Sequence, residues 1–154
     1  MNAQPPLRHP DKLFIGGRWV DASTPARIEV LNSTTEALFL TVPEARERDV
    51  EAAVRAARSA FDDGPWPQMS HVERAAVMHR IADQIDQRAD QLAQAWTTES
   101  GVLHSIARAR MPALTAEFRG IADLSKTFAF HERHESTSGG AVALLVREPV
   151  GVVA

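Results

Sequence analysis

The apolar positions change period along the chain, and the changes mark its elements. Over residues 13–42 they come in short runs: Leu13-Phe14-Ile15, Trp19-Val20, Ile28-Glu29-Val30-Leu31 and Ala37-Leu38-Phe39-Leu40-Thr41-Val42. Short runs rich in β-branched and aromatic residues, separated by turn formers, predict strands. Gly16-Gly17 between the first two predicts a hairpin, since glycine takes positive φ at both corner positions without steric cost. No G-x-G-x-x-G follows, so a turn is preferred over a phosphate loop. The polar stretch Asn32-Ser33-Thr34-Thr35-Glu36 turns the chain between the next two strands.

From Arg46 the period becomes helical. Val50, Val54, Ala57 and Phe61 recur at helical spacing, and Gly64-Pro65 stops the helix. Ser70-His71-Val72-Glu73 is a capping box that opens the next one. Met78, Ile81, Ile85, Ala89, Leu92 and Trp96 then form one apolar stripe ending at Gly101, with a break near Arg88 left open by the sequence. With Val54 and Phe61, the stripe residues Ile81, Ile85, Leu92 and Trp96 are expected to be buried in a helical layer. A further helical stretch covers residues 103–126, with Ile106, Leu114, Phe118 and Ile121 expected inward. Pro112 within it lacks an amide donor and crowds the preceding turn, so a kink or a new helix is expected there.

The last third returns to strand signals. Thr127-Phe128-Ala129-Phe130 and Ala141-Val142-Ala143-Leu144-Leu145-Val146 read as strands joined by a polar stretch that ends in Ser138-Gly139-Gly140, the pattern of a protruding β arm. Val150, Val152 and Val153 read as one more strand, buried and cut where a following element should begin. That run suggests the front portion of a larger protein. The first residues, 1–11, are polar and proline-rich and read as a loosely held leader.

The 154 residues suffice for one ordinary core, and 44% hydrophobic with 24% charged residues is the make-up of a globular protein. Net charge is −3 with no clustered Lys and Arg, which argues against a nucleic-acid partner. No apolar run approaches the roughly 20 residues that span a bilayer, and no secretory signal opens the chain, so a cytoplasmic protein without membrane contact is expected. There is no cysteine, which excludes disulfides, cysteine-ligated metal and a thiol nucleophile within these residues. His131 and His134 stand three apart rather than the four of H-E-x-x-H, so a solvated turn is preferred over a metal site. His71, His79 and His104 are isolated, Glu99 lacks a partner carboxylate, and Asp62 and Asp63 close a helix. From the residues alone no catalytic, cofactor-binding or metal site emerges.

Several motifs nevertheless combine. Leu13-Phe14-Ile15-Gly16-Gly17-Arg18-Trp19-Val20 resembles the N-terminal "IxGxW" hairpin of the aldehyde dehydrogenase superfamily. Asp49-Val50-Glu51-Ala52-Ala53-Val54, with Ala56-Ala57-Arg58 and Ala60-Phe61, resembles its "DVxxAVxAARxAF" helix. Pro65-Trp66 and Arg74 resemble its "PW…ER" stretch, Phe118, Gly120, Ala122 and Asp123 its "YxGxAD" helix, and Arg147-Glu148-Pro149-Val150-Gly151-Val152 its "REPVGV" strand. Two stretches depart from the family pattern. Asn32-Ser33-Thr34-Thr35-Glu36 stands where Asn-Pro-x-Thr-Gly is usual, and Gly101-Val102-Leu103 where Gly-Lys-Pro is usual.

The resemblance implies an α/β family fold represented by an N-terminal α+β portion: short β-hairpins, a helical layer, a protruding β-arm, and the first strand leading toward a Rossmann-like sheet. It implies residues 1–126 as the N-terminal part of the cofactor-binding domain, 127–147 as an arm of oligomerisation type, and 148–154 as a return strand. Met111, Leu114 and Phe118 would line the substrate tunnel, with ordinary helix packing as the alternative for Leu114 and Phe118. The family oxidises aldehydes to carboxylic acids with NAD or NADP: a thiolate attacks the aldehyde, hydride leaves the thiohemiacetal, and the thioester is hydrolysed. Without a cysteine this chain has no nucleophile for the first step, so it is not expected to turn over alone. Independently, only one candidate strand of a nucleotide-binding strand–turn–helix unit, Val150 to Ala154, is present, so it is not expected to bind the cofactor alone. Its expected partners are the missing C-terminal portion or a full-length homologous subunit, in a family that forms homo-oligomers. The alternatives are a non-catalytic interaction module that docks onto a full-length relative and an unrelated small α+β binding domain.

Overall fold

A computed structural model describes residues 7–153. Most of the expected leader, residues 1–6, and the last residue of the expected terminal strand lie outside that range. The described residues fold as two short hairpins, four α-helices and a third hairpin. β1 (Leu13–Ile15) pairs antiparallel with β2 (Arg18–Val20), placing Phe14 opposite Trp19. Gly16 and Gly17 both have positive φ (59° and 77°), as the expected two-residue turn requires. β3 (Arg27–Leu31) pairs antiparallel with β4 (Leu38–Pro43), with an irregularity between Val30 and Leu31. The turn between them is organised by Asn32. Its carbonyl accepts from the Glu36 amide at 2.8 Å, and its Oδ1 from the amides of Thr34 and Thr35.

α1 (Glu47–Asp62) starts at a carboxylate. Asp49 accepts from the Arg46 amide at 3.0 Å and from the amide and hydroxyl of Ser23 at 2.9 and 2.7 Å. The contact ties the helix N-terminus to the loop between β2 and β3 and satisfies donors that the helix cannot. A single 3₁₀ turn (Trp66–Gln68) follows. α2 (His71–Gln87) then opens on the expected capping box: Ser70 Oγ accepts from the Glu73 amide, while Glu73 Oε2 accepts from the Ser70 amide at 2.7 Å. Arg88 leaves helical geometry (φ −114°, ψ 13°) and separates α2 from α3 (Ala89–Ser100), which settles the break. Gly101 closes α3 in the left-handed conformation at φ 73°.

α4 (His104–Asp123) passes through Pro112 as one element, so no new helix begins there; a 3₁₀ turn (Leu124–Lys126) continues it. Proline removes one hydrogen bond, and packing against α2 and α3 outweighs that loss. The Thr115 hydroxyl, one turn on, donates to the Pro112 carbonyl at 3.1 Å.

The core corrects the sequence expectation. α2 and α3 both pack on α4, and what they bury is small: Ala75, Ala82, Ala93, Ala107 and Ala122, with Met111, Thr98 and Thr115. Val54, Ile81, Leu92 and Trp96 are exposed, and Phe61 and Ile85 are only half-buried. Ile106, Leu114 and Ile121 are likewise exposed. The inward stripe of α4 is Ala107, Met111, Thr115 and Ala122 rather than the large residues beside it. Small side chains let helix axes approach closely, which leaves larger neighbours on the rim of the contact. α1 is not part of this layer; its principal neighbours are β1 and the first 3₁₀ turn.

The two stretches that depart from the family pattern touch. Ser33 donates to the Thr98 carbonyl with both its amide (3.0 Å) and its hydroxyl (3.1 Å), and so helps close the end of α3. A proline there could not supply the amide. A side chain at Gly101 would meet Ser33 Oγ at 3.2 Å.

The third hairpin also corrects the expectation. Residues 127–130 are not a strand; β5 is His131–His134, within the stretch expected as a solvated turn, and it pairs antiparallel with β6 (Ala143–Val146). The ladder starts later because the 3₁₀ turn draws in the preceding residues: the amides of Thr127 and Phe128 both donate to the Leu124 carbonyl. Residues 150–153, expected as a buried strand, belong to no ladder, and Val150 and Val153 are exposed. Among the described residues all three sheets are two-stranded hairpins, so this run has no strand to join.

Candidate functional site

The expected functional residues fall on α4 and on the root of the β5–β6 hairpin. α4 is held by its own charges. Arg119 reaches Asp83 and Asp86 of α2, each at 2.7 Å, and Arg108 reaches Asp90 of α3 at 2.5 Å. The Arg119 hydrogen bond, the largest cause, holds the Asp86 carboxyl below the usual carboxylate range. Met111, Leu114 and Phe118 lie three and four residues apart, hence on neighbouring rows of one helix. Met111 is buried against Ala93 and Ala107, with Ala89 and Val102 beside them. Leu114 is exposed and Phe118 half-buried, on the flank of α4 rather than in its contact with α3.

The hairpin root is a cluster that sequence reasoning missed. The His71 ring, at the first position of α2, stacks on Phe130 with centroids 3.5 Å apart and planes 9° from parallel. An Arg74 Nη donates to His71 Nδ1 at 2.7 Å, and Arg74 is itself held by the carbonyls of Met69 (2.6 Å) and Trp66. Phe128 packs edge-on against Phe130, and the Arg147 guanidinium lies 5.2 Å from the Phe128 ring. Arg147 also donates to the Ala129 carbonyl at 2.8 Å and pairs with Glu132 at 2.5 Å. Residues from three separated stretches meet here, and no local spacing in the sequence announces them. Of the isolated histidines, His79 stands 3.5 Å from Asp123. His131 and His134 both sit on β5, with His134 3.7 Å from Glu132.

An open groove of about 630 Å³ lies between the β1–β2 hairpin and α1, with Trp19, Arg18, Arg48 and Arg55 on its walls. No helix among the described residues is long and apolar enough to cross a membrane.

Residues 19–154 match the sequence model of the aldehyde dehydrogenase family. Aldehyde dehydrogenase 1 of Tanacetum cinerariifolium is 38% identical over 146 residues, covering 92% of this chain and 28% of that relative. NADP/NAD-dependent aldehyde dehydrogenase PuuC of Escherichia coli is 31% identical over 147 residues, 94% of this chain and 29% of its own length. The structure of an aldehyde dehydrogenase C variant from Pseudomonas syringae, complexed with NAD⁺ and octanal, superposes with a TM-score of 0.79 at 34% identity, over 88% of this chain and 28% of that one. The chain therefore belongs to the aldehyde dehydrogenase family and spans a little over a quarter of the length of these relatives, in their N-terminal part.

The described residues do not form a dinucleotide cradle. Such a cradle needs a strand leading through a glycine-rich turn into a helix N-terminus that is free to take pyrophosphate. Residues 150–153 form no strand, the first turns of α1 and α2 are already occupied by the carboxylates of Asp49 and Glu73, and α3 and α4 each follow a helix rather than a strand.

Proposed function

We propose that the chain is the N-terminal scaffold of an NAD(P)-dependent aldehyde dehydrogenase, completed by the remainder of such an enzyme or by a full-length homologous subunit. In this reading residues 1–126 are the N-terminal part of the cofactor-binding domain, 127–147 the arm that pairs with a neighbouring subunit, and 148–154 the segment that becomes the return strand once the completing part supplies a sheet to pair with. Leu114 and Phe118, with Met111 behind them, form one wall of the substrate tunnel. The nucleophile comes from the completing part, because this chain contains no cysteine, and so does the Gly-rich cofactor loop.

The supporting observation is uncovered apolar surface. The chain exposes 11537 Å², whereas a folded monomer of 16.9 kDa exposes about 7,700 Å² by surface–mass scaling. Large apolar side chains contribute to the excess: Val50 and Val54 on α1, Ile106, Leu114 and Ile121 on α4, and all of β6 are exposed. On β6 these residues are consecutive, and a contiguous apolar stretch of this kind marks a surface that a partner covers.

The test is co-expression with a relative's chain lacking the matching N-terminal part, followed through NADH formation from several aldehydes. The expected result is no turnover by either piece alone and turnover by the pair. Turnover by this chain alone, or failure of the two pieces to associate, would overturn the proposal. Association that leaves a full-length relative's activity merely altered would favour the non-catalytic docking module instead.

A further inference from the structure

We infer that His71 is a pH-sensitive latch on the β5–β6 hairpin: while neutral it clamps Phe130 against the head of α2, and when protonated it releases the hairpin root. Among the described residues no hydrogen bond or ion pair joins β5 or β6 to a helix, so the flat His71–Phe130 stack is the side-chain clamp at that junction. Phe130 transmits the clamp directly, because its carbonyl accepts from the Arg147 amide at 3.0 Å, immediately beyond the end of β6.

The geometry requires a neutral ring. His71 Nδ1 faces an Arg74 Nη at 2.7 Å, and a guanidinium can only donate, so Nδ1 must accept. A proton on Nδ1 would replace that hydrogen bond with two donors facing each other. The charged and titratable groups facing the ring are Arg74 on α2 and His131 on β5, and both oppose a second positive charge. The nearest carboxylate on its own element, Glu73, is turned away into the Ser70 cap. His71 also occupies the first helical position, where the helix dipole disfavours a cation. Attraction between a cationic ring and the Phe130 face works the other way. The net result is a His71 pKa below its ordinary value, with desolvation the largest cause, then Arg74 and His131.

The sign follows. Since the clamped state holds a neutral ring and the released state an ordinary one, the clamp is fully effective above about pH 6.5 and weakens as the pH falls below that value toward the lower pKa of the clamped ring.

Amide hydrogen exchange on the full chain, at low concentration and corrected for intrinsic rates, reads the hairpin directly. Between pH 7.5 and 5.5, protection of the β5, β6 and Arg147 amides should fall by up to about tenfold, the ceiling set by a released ring of ordinary pKa, while α3 is unchanged. H71F keeps the stack without titrating and should abolish the pH response with the hairpin still protected. H131Q should retain the response. An undiminished response in H71F, or a flat profile in the native chain, would overturn the inference. Should H71F fail to fold, the His71 ring titration followed by NMR in the native chain decides instead: a midpoint matching hairpin release supports the latch, and a mismatch sinks it.

Discussion

The α2–α4 layer and the β5–β6 hairpin invert the usual relation between side-chain size and burial. Ala82, Ala93 and Ala107 are wholly buried, whereas Leu144, Leu145 and Val146 are exposed although each is larger and more apolar. The layer is closed because three helices supply surfaces to one another. Among the described residues the hairpin is a two-stranded ribbon with no further strand paired to it and no helix among its principal neighbours. Burial is thus set by whether a partner surface lies within this chain, and hydrophobicity alone does not show which residues have one.

The sharpest way to break the contrast is to hollow the layer. M111A removes the one long side chain of the alanine core and should cost about 2–5 kcal/mol, read as a lower urea midpoint at unchanged slope. The opposite perturbation, A93L, overfills a position with no exposed surface between α3 and α4 and should cost about 1–3 kcal/mol. A neutral result for both would mean that the helices do not share this contact.

A smaller effect of opposite sign is expected where the β3–β4 turn docks on the layer. Glu36 has φ 58°, a left-handed conformation costly for a residue with a Cβ, and it stands where the family pattern has glycine. E36G should therefore stabilise by about 1 kcal/mol, visible as a raised melting temperature. Destabilisation would show that the turn relaxes once the chain is in solution.

The acid limb tests the α1 end. Hydrogen bonds from the Arg46 amide, then from Ser23, hold the Asp49 carboxyl below its ordinary value. Its stabilising contribution is complete above that value, about pH 4, and is lost as the pH falls through the lower folded pKa. D49N should reduce stability at neutral pH and flatten the acid limb of a stability-against-pH curve; an unchanged limb would remove Asp49 from the account. The smallest effect on folding is expected in the hairpin. L144K should move stability by no more than about 0.5 kcal/mol, because the side chain is already exposed. It should nonetheless reduce light scattering at high concentration by charging an open apolar edge. A large loss of stability from L144K would show that the ribbon packs on something within the chain.

Local chemistry made much of this molecule legible from its sequence. Gly16-Gly17, the Ser70–Glu73 box, the Gly64-Pro65 stop and the Gly101 cap each act through backbone preferences within a few residues, and each structural element they imply is present. The ordered family motifs were legible for the same reason, since each is read within a short stretch of neighbouring residues. Tertiary structure alone decided which face of α4 turns inward. Helical periodicity ranks residues by apolarity, but close approach of helices selects the small ones, so Ala107 and Thr115 are buried while Ile106 and Leu114 are not. It alone brought His71 to Phe130 and Ser33 to Thr98, contacts that join stretches 59 and 65 residues apart. It also decided that residues 150–153 form no strand, because a strand is a relation between two segments and its residues can specify only one of them.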